Sequence, residues 1–242
     1  MIARDLNTAA EQYFVNPPKT KKKAPKKVAK PKAFSGEGEI KEAYAKYICK
    51  DSNRIEEGNP DMDVDGVSAF FEDLGIEAED PVTLVIFCHM NAQEAGELTQ
   101  AEFVKGFVEL ECPNVAALRS KLSELRSELE DPTRFKQIYT YTFELLLSGG
   151  AKNISGEMAV PYLDLLLPIR FKGYYSAQHA KIIDFLRDKQ EKGEFGSMKK
   201  DEWVCLYEFI EQTNGANMEN FNPDEAFWPI LIDQLGEHLK GL

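Results

Sequence analysis

The chain has 242 residues, of which 43% are hydrophobic and 29% are charged, and its 41 acidic side chains outnumber its 29 basic ones. This length is enough for one or two domains with a hydrophobic core. No window reaches the roughly 18 uninterrupted apolar residues of a membrane helix, and the first residues lack the apolar segment of a secretory signal, so we expect a soluble protein with no membrane partner.

Charge is distributed unevenly along the chain. The first 32 residues contain nine basic and two acidic side chains, a net charge of +7, which leaves −19 on the remainder. A strongly acidic body repels phosphates, which argues against nucleic acid and favours a basic protein partner. The cysteines Cys49, Cys88, Cys112 and Cys205 lie far apart without metal-ligand spacing. We therefore predict reduced thiols in a protein of the cytoplasm and nucleus.

The N-terminal region divides into a short helix and a basic tract. Within residues 1–15, positions 5–14 predict one amphipathic helix, with Leu6 and Phe14 on the same face, that is too short to be stable alone. Residues 16–36 are rich in Lys, Pro and Ala and offer little to bury, so we expect a disordered linker. The lysines fit a nuclear-localisation or polyanion-binding tract as well as a solvated linker, and both interpretations stay open.

Residues 37–242 predict an all-α domain. Apolar residues recur there at spacings of three and four, the pattern of helices with one buried face, and no run alternates with a period of two. Capping residues, prolines and glycines mark the helix ends. Predicted helix starts are Asp80-Pro81, Thr99, Asp131-Pro132, Ser155 and Asn222-Pro223, and predicted ends are Gly75, Gly149-Gly150 and Pro168.

Residues 91–102 have the outline of an EF-hand loop. Gly96 stands at position six, where the motif turns sharply, and Glu102 at position twelve. However, Ala95 at position five has no side-chain oxygen, and Glu102 is the only carboxylate at a side-chain ligand position. A dication would have too little attraction for such a loop, so we predict a metal-free turn here and in the similar, irregular stretch that begins at Asp51.

Catalytic motifs are scarce in this sequence. The histidines His89, His179 and His238 lie on separate predicted helices, and no G-x-S-x-G, phosphate-loop or H-E-x-x-H pattern occurs. We therefore predict an interaction module that is not an enzyme and needs neither metal nor cofactor. Trp228 stands among acidic residues near the C-terminus, where it suits either an anchor for a basic partner or a core position.

Four ordered motifs resemble those of the defective-in-cullin-neddylation family over roughly residues 37–240. They are DPTRFKQIYTYTF at 131–143, EMA at 157–159, KDEW at 200–203 and FWPILIDQL at 227–235. The resemblance implies an all-helical domain at 37–242, built from two EF-hand-like halves that do not depend on calcium. Residues 1–15 are similar to the last helix of a ubiquitin-associated domain, and without its other helices we expect no ubiquitin binding.

The resemblance also implies a function. Members of the family are scaffold-type accessory ligases that promote transfer of a ubiquitin-like modifier from its conjugating enzyme to a cullin, without a covalent intermediate of their own. The implied partners are the C-terminal subdomain of a cullin and the N-acetylated conjugating enzyme, with the cullin's RING subunit as a further candidate. The alternative is a calcium-independent EF-hand-like regulatory module that binds another helical partner.

The first site that the resemblance implies is an acidic patch facing the cullin. In the family it consists of Asp, Ala and Asp, and the motifs place the two acids at Asp201 and Asp233. Phe227 occupies the middle position in place of Ala. The aspartates would pair with Lys or Arg of the cullin, and loss of either would weaken binding.

The second implied site is an apolar pocket for the acetylated N-terminal methionine of the conjugating enzyme. Acetylation favours entry because a free ammonium would have to leave water unpaired. Thr83 and Met90 differ from the bulkier residues usual in the family, which predicts a reshaped pocket, and on helical pattern alone the aligned positions belong to the core. Those positions are Val64, Val67, Thr83, Leu84, Phe87, Met90, Leu98, Leu145 and Leu165.

Overall fold

The computed structural model describes residues 36–48, 61–77, 79–147, 149–172, 174–218 and 228–241, all within one unit of the chain. Four predictions lie wholly or mostly outside these residues: the helix at 1–15, the linker at 16–36, the loop that begins at Asp51, and Phe227. No helix within the described ranges is both long and apolar enough to cross a membrane.

The described residues form ten helices and one sheet of two short strands, which confirms the predicted all-α class. The elements are α1 (Glu37–Tyr44), α2 (Val64–Leu74), α3 (Val82–Met90), α4 (Gln100–Glu109), α5 (Val115–Glu128), α6 (Pro132–Leu145), β1 (Asn153–Ser155), α7 (Gly156–Arg170), α8 (Tyr174–Glu191), β2 (Ser197–Lys199), α9 (Lys200–Gln212) and α10 (Ile230–Lys240).

Helix–loop–helix units are joined in pairs through their loops. In the first half, the loop before α2 meets the loop before α4, where Met62 and Leu98 exchange backbone hydrogen bonds of 3.0 and 2.9 Å. In the second half, β1 precedes α7 and pairs antiparallel with β2, which precedes α9, so that Ile154 lies opposite Met198. This is the arrangement of two EF-hand-like halves that the family resemblance implies.

The paired loop residues anchor both halves in the core. Met62, Leu98, Ile154 and Met198 are all at most 1% exposed. The sequence pattern gave no indication of β1 and β2. Each strand has only three residues, with a single buried side chain between two exposed ones, and so short a run carries no detectable period of two.

Aromatic side chains fill the core of each half. In the first half, the ring of Phe103 lies 5.0 Å from that of Phe70 and 4.6 Å from that of Phe107. In the second half, the ring of Tyr139 lies 4.8 Å from that of Trp203 and 5.2 Å from that of Tyr207. These clusters fix the helices that carry the candidate sites, since α2 belongs to the first cluster and α9 to the second.

Two predicted helix boundaries were wrong. Pro168 does not end α7, which continues to Arg170. A proline inside a helix removes its own N–H donor and crowds the carbonyl of residue i−4. The N–H of Phe171 nevertheless closes the last turn of α7 on the carbonyl of Leu167 at 2.9 Å. Helix α6 ends at Leu145, before the predicted stop at Gly149-Gly150.

Helix α10 begins later than predicted. The proposed cap at Asn222 lies outside the described residues, and the helix starts at Ile230, after Trp228 and Pro229. The carbonyl of Pro229 accepts hydrogen bonds from the N–H groups of Ile232 and Asp233. Asp233 is therefore in the first turn of α10.

Candidate partner-binding sites

Asp201 lies in the first turn of α9, directly after β2. The same turn is closed by Glu202, whose carboxylate accepts a hydrogen bond of 2.8 Å from the N–H of Lys199. Carboxylates near a helix N-terminus are favoured by the helix dipole. The pairing of β2 with β1 therefore fixes the start of α9 and with it the position of the exposed Asp201 side chain on the surface.

Asp201 differs from the other acids along α9 in lacking a cation among the described residues. Glu208 pairs with Lys136 at 3.2 Å, and Glu211 pairs with Arg170 at 3.4 Å. The neighbouring Lys200 is engaged by Glu144. Most local charge is thus balanced within the protein, whereas the carboxylate of Asp201 remains available to an outside cation.

The side chain of Asp201 contacts that of Cys205, which lies one turn further along α9. Its Sγ lies 3.8 Å from Oδ1 of Asp201. Burial, together with the charges of Asp201 and Glu208, raises the pKa of Cys205 to about 11. The Cys205 thiol is therefore neutral at pH 7 and reports the negative potential around Asp201.

Asp233 is half-buried and incompletely satisfied. Its Oδ1 is inaccessible to solvent and has no hydrogen-bond partner within the part of the chain that the structure describes. Burial raises the pKa of the Asp233 carboxyl, and the charge of Glu237, one turn away, raises it further. A carboxylate in this state has unused capacity to accept hydrogen bonds from a cationic donor.

The helices that carry the two aspartates pack against each other. Trp228, just before α10, meets Phe209 of α9 edge to face, with ring centroids 5.8 Å apart. Trp228 is partly buried against the core, which agrees with the core interpretation of this residue. Asp201 and Asp233 thus each lie in the first turn of a helix, and these two helices pack against each other.

A cavity of about 510 Å³ opens between α2, α3, α7 and the loop after α3. Its lining is apolar at the walls and acidic at the edge. The lining residues are Val64, Val67, Ser68, Phe71, Glu72, Ile76, Glu77, Thr83, Leu84, Phe87, Ala95, Gly96 and Tyr162.

Local capping holds the two helices that form most of the cavity wall. Asp63 caps α2 by accepting a hydrogen bond of 3.1 Å from the N–H of Gly66, and Asp80 holds the start of α3 through the N–H of Val82 at 3.0 Å. Phe71 on α2 and Phe87 on α3 meet edge to face with centroids 5.3 Å apart. The cavity therefore has a wall of packed aromatic rings.

The far end of α3 is held from the second half of the domain. The hydroxyl of Tyr141 on α6 lies 2.9 Å from the carbonyl oxygen of Phe87 and 2.7 Å from that of Ala92. Burial raises the pKa of Tyr141, so the hydroxyl remains a donor. This contact positions the loop that carries Ala95 and Gly96 at the cavity.

Five of the nine predicted pocket residues line this cavity, namely Val64, Val67, Thr83, Leu84 and Phe87. Val64 is 62% exposed, at variance with the core position that its helical pattern predicts. The structure places the other four elsewhere. Met90, Leu98 and Leu145 are fully buried in the core, and Leu165 is half-buried on α7.

Sequence reasoning missed several lining residues. Phe71 belongs to the same apolar stripe of α2 as Val67, and Tyr162 precedes the predicted Leu165 by three residues, so helical spacing could have identified both. Ile76 follows the left-handed Gly75 that ends α2, with φ of 74°. No pattern in the sequence indicates that the chain turns back there towards the cavity.

The polar groups of the cavity have two roles. The hydroxyl of Thr83 donates to the carbonyl of Asp80 at 2.9 Å, and that of Ser68 donates to the carbonyl of Val64 at 2.8 Å. Each hydroxyl oxygen can still accept a hydrogen bond from a ligand N–H. Glu72 and Glu77 have no cationic partner among the described residues and make the edge negative.

The EF-hand-like loop uses its own carboxylate internally. One oxygen of Glu102 accepts from the N–H of Gln93 at 3.0 Å, and the other accepts from the N–H and the hydroxyl of Thr99, both at 2.8 Å. This forms the predicted capping box at the start of α4. Within the described ranges, His, Cys, Asp and Glu residues form no group that could hold a metal ion.

Comparison with known proteins places the two aspartates within a recognised domain. Residues 117–238 match the family described as Cullin binding. The chain is 33% identical over 176 residues to DCN1-like protein 4 of Drosophila melanogaster and 30% identical over 176 residues to DCN1-like protein 5 of Homo sapiens. The aligned region covers 73% of this chain, 66% of the fly protein and 70% of the human protein.

The matched region runs from the first turn of α5 to the last turn of α10 and includes Asp201 and Asp233, and the cavity walls on α2 and α3 precede it. The resemblance drawn from the sequence motifs is therefore confirmed. The chain belongs to the cullin-binding family of DCN1-like proteins.

Proposed function

We propose that this protein is a scaffold-type accessory ligase for cullin neddylation. It binds a cullin through Asp201 and Asp233 and binds the acetylated N-terminus of the neddylation conjugating enzyme in the cavity beside α2 and α3. In this way it promotes transfer of the ubiquitin-like modifier to the cullin. The cullin's RING subunit is a further partner that such an assembly would approach.

The observation that carries the proposal is the state of the two aspartates. Both lack a cationic partner among the described residues, although Glu208 and Glu211 of α9 are paired with cations of other helices. Both also lie in the first turn of a helix, and the two helices pack against each other. Lys or Arg side chains on the cullin would supply the missing charge. The half-buried Asp233 would gain most, because its buried oxygen lacks a donor.

The cavity supports the second half of the proposal through its chemistry. Apolar walls suit a methionine side chain, and burying that side chain draws the N-terminus inward. A free ammonium would lose water there, whereas an acetyl amide is neutral and needs only one donor and one acceptor. Thr83 and Ser68 provide acceptor oxygens for the amide N–H.

The proposed mechanism requires no covalent chemistry by this chain. A scaffold that holds the cullin and the charged conjugating enzyme together raises their effective concentration and restricts their orientation. The acceptor lysine and the thioester would belong to the partners. The residues of this chain would bind and orient.

A reconstituted neddylation reaction tests the cullin site. The full chain should accelerate modification of a cullin, and Asp201→Ala or Asp233→Ala should each weaken cullin binding by about tenfold or more. Glu39→Ala, at an exposed acid of α1, is the matched control. An unchanged rate with wild-type protein, together with no cullin binding, would exclude the proposed function.

Binding of N-terminal peptides tests the cavity separately. A peptide from the conjugating enzyme should bind when it is acetylated and lose at least about tenfold in affinity with a free amine. Equal affinity of the two forms would exclude this assignment of the cavity while leaving the cullin site untouched. Binding of a different helical ligand instead would favour the EF-hand-like regulatory alternative.

A further inference from the structure

One face of α10 combines an exposed aliphatic side chain with two carboxylates. Ile230 is 76% exposed, Asp233 is half-buried, and Glu237 is exposed. At 3.6 residues per turn, positions i, i+3 and i+7 fall within an arc of about 60°. The three side chains therefore form a stripe along two turns. The opposite face, with Leu231, Ile232 and Leu235, is buried.

Lys240 lies one turn beyond Glu237 on α10, but the two carboxylates of the stripe are not paired within the part of the chain that the structure describes. Neither Asp233 nor Glu237 forms an ion pair there, and Oδ1 of Asp233 has no hydrogen-bond partner. Like charges at i and i+4 repel each other and destabilise a helix. Keeping both carboxylates beside an exposed isoleucine therefore opposes stability, and a partner with complementary chemistry would remove the conflict.

We infer that the stripe of Ile230, Asp233 and Glu237 extends the cullin site along α10 and receives a cullin segment that presents an aliphatic side chain followed by two Lys or Arg side chains, in the order of the stripe. The inference rests on the proposed function, because Asp233 is common to both. It adds Ile230 as an apolar contact and Glu237 as a second charge contact.

Physical complementarity supports this occupant. An aliphatic contact at Ile230 would exclude water from the neighbouring ion pair at Asp233, and charge pairs strengthen when water is excluded. A cation at Glu237 would relieve the repulsion between the two carboxylates. The acidic chain, with a net charge of −12, favours a basic partner for the same surface.

Titration of the full chain with a purified cullin C-terminal subdomain tests the stripe. Ile230→Ser should weaken binding by about tenfold, and Glu237→Gln by about threefold. Glu237→Lys should weaken it further, and Glu237→Gln should reduce the salt dependence of the affinity. Val108→Ser, at an exposed apolar position of α4, and Glu39→Gln are the matched controls, expected to change the affinity by less than about twofold.

The outcomes separate the inference from the proposed function. Suppose that wild type binds the cullin and Asp233→Ala weakens binding, while Ile230→Ser and Glu237→Gln behave like their controls. The assignment of the stripe to the cullin site is then wrong, and the proposed function stands. If wild type binds no cullin, both are wrong. Thermal melting of each variant confirms that a loss of binding does not reflect unfolding.

Discussion

Tyr139 and Trp203 hydrogen-bond to each other's backbone. The hydroxyl of Tyr139 donates to the carbonyl of Trp203 at 2.8 Å, and the indole N–H of Trp203 donates to the carbonyl of Tyr139 at 2.9 Å. Their rings stack with centroids 4.8 Å apart, and both residues are at most 1% exposed. This reciprocal pair joins α6 to α9 two residues after Asp201, so the acidic site depends on it for its position.

Removing one side of the pair should cost stability in a non-additive way. Tyr139→Phe loses one buried hydrogen bond, about 1 kcal/mol, and Trp203→Phe loses the other together with packing volume, about 2 kcal/mol. Because the two residues contact each other, the double variant should cost less than the sum. Urea denaturation measures all three free energies of unfolding. Strictly additive values would contradict the coupling.

Local chemistry explains which features were predictable from the sequence. The capping box of Thr99 and Glu102 and the left-handed Gly75 are each defined by a few neighbouring residues, and both occur in the structure as predicted. Asp201 and Asp233 were assigned instead by the family resemblance of the KDEW and FWPILIDQL motifs, which are likewise short local runs of sequence. Such features need no knowledge of the rest of the fold.

The cavity was only partly predictable because its lining depends on packing between distant helices. Met90 and Phe87 lie on the same apolar helix, but only Phe87 lines the cavity. Met90 packs instead on α4, where a β-carbon added at Gly106 would lie 2.3 Å from its Cγ. The glycine thus makes the space that takes Met90 into the core, and no spacing rule for α3 contains that information.

Asp233 should reduce the stability of the folded protein at neutral pH. Its folded pKa is raised above the ordinary value by burial and by Glu237, so the folded state holds the proton more tightly than the unfolded chain. Stability therefore falls as pH rises from below 3.8 through the folded pKa, and the penalty is constant above it.

Asp233→Asn should accordingly raise the free energy of unfolding at pH 7, and this advantage should shrink as the pH falls through the raised folded pKa of the wild-type carboxyl. Denaturation at several pH values measures the change, with Asp184→Asn at an exposed acid of α8 as the control. The same variant should bind the cullin more weakly. A variant that is less stable than wild type at pH 7 would contradict the account of Asp233.

Cys205 offers a chemical readout of the charge at Asp201. Since Asp201 and Glu208 contribute to the pKa of about 11, Asp201→Asn should lower it. A lower pKa would raise the thiolate fraction of Cys205 and therefore its alkylation rate at pH 8. Mass spectrometry of the labelled peptides isolates this cysteine from the others. Glu39→Gln should leave the rate unchanged, and no acceleration by Asp201→Asn would contradict the contact.

Glu102 should act as a structural cap. Glu102→Ala removes the acceptors for the N–H groups of Gln93 and Thr99, which should cost about 1–2 kcal/mol. Glu94→Ala, at an exposed acid of the same loop, should cost far less. Because both oxygens of Glu102 are already occupied, calcium or a chelator should leave the Tm of wild type unchanged. A calcium-dependent Tm that is lost in Glu102→Ala would show instead that the loop binds the ion.

Val64 allows binding in the cavity to be separated from stability. Its side chain is 62% exposed at the cavity, so Val64→Ser should change the free energy of unfolding by less than about 0.5 kcal/mol. An acetylated peptide that covers this side chain should nevertheless lose about fivefold in affinity, since the apolar area that it would bury is gone.

Leu84→Ala cannot make this distinction, because Leu84 is 2% exposed and its loss destabilises the domain as well. Calorimetric titration of wild type, Val64→Ser and the exposed control Val108→Ser measures the difference. Equal affinity of all three for the peptide would place the peptide outside the cavity.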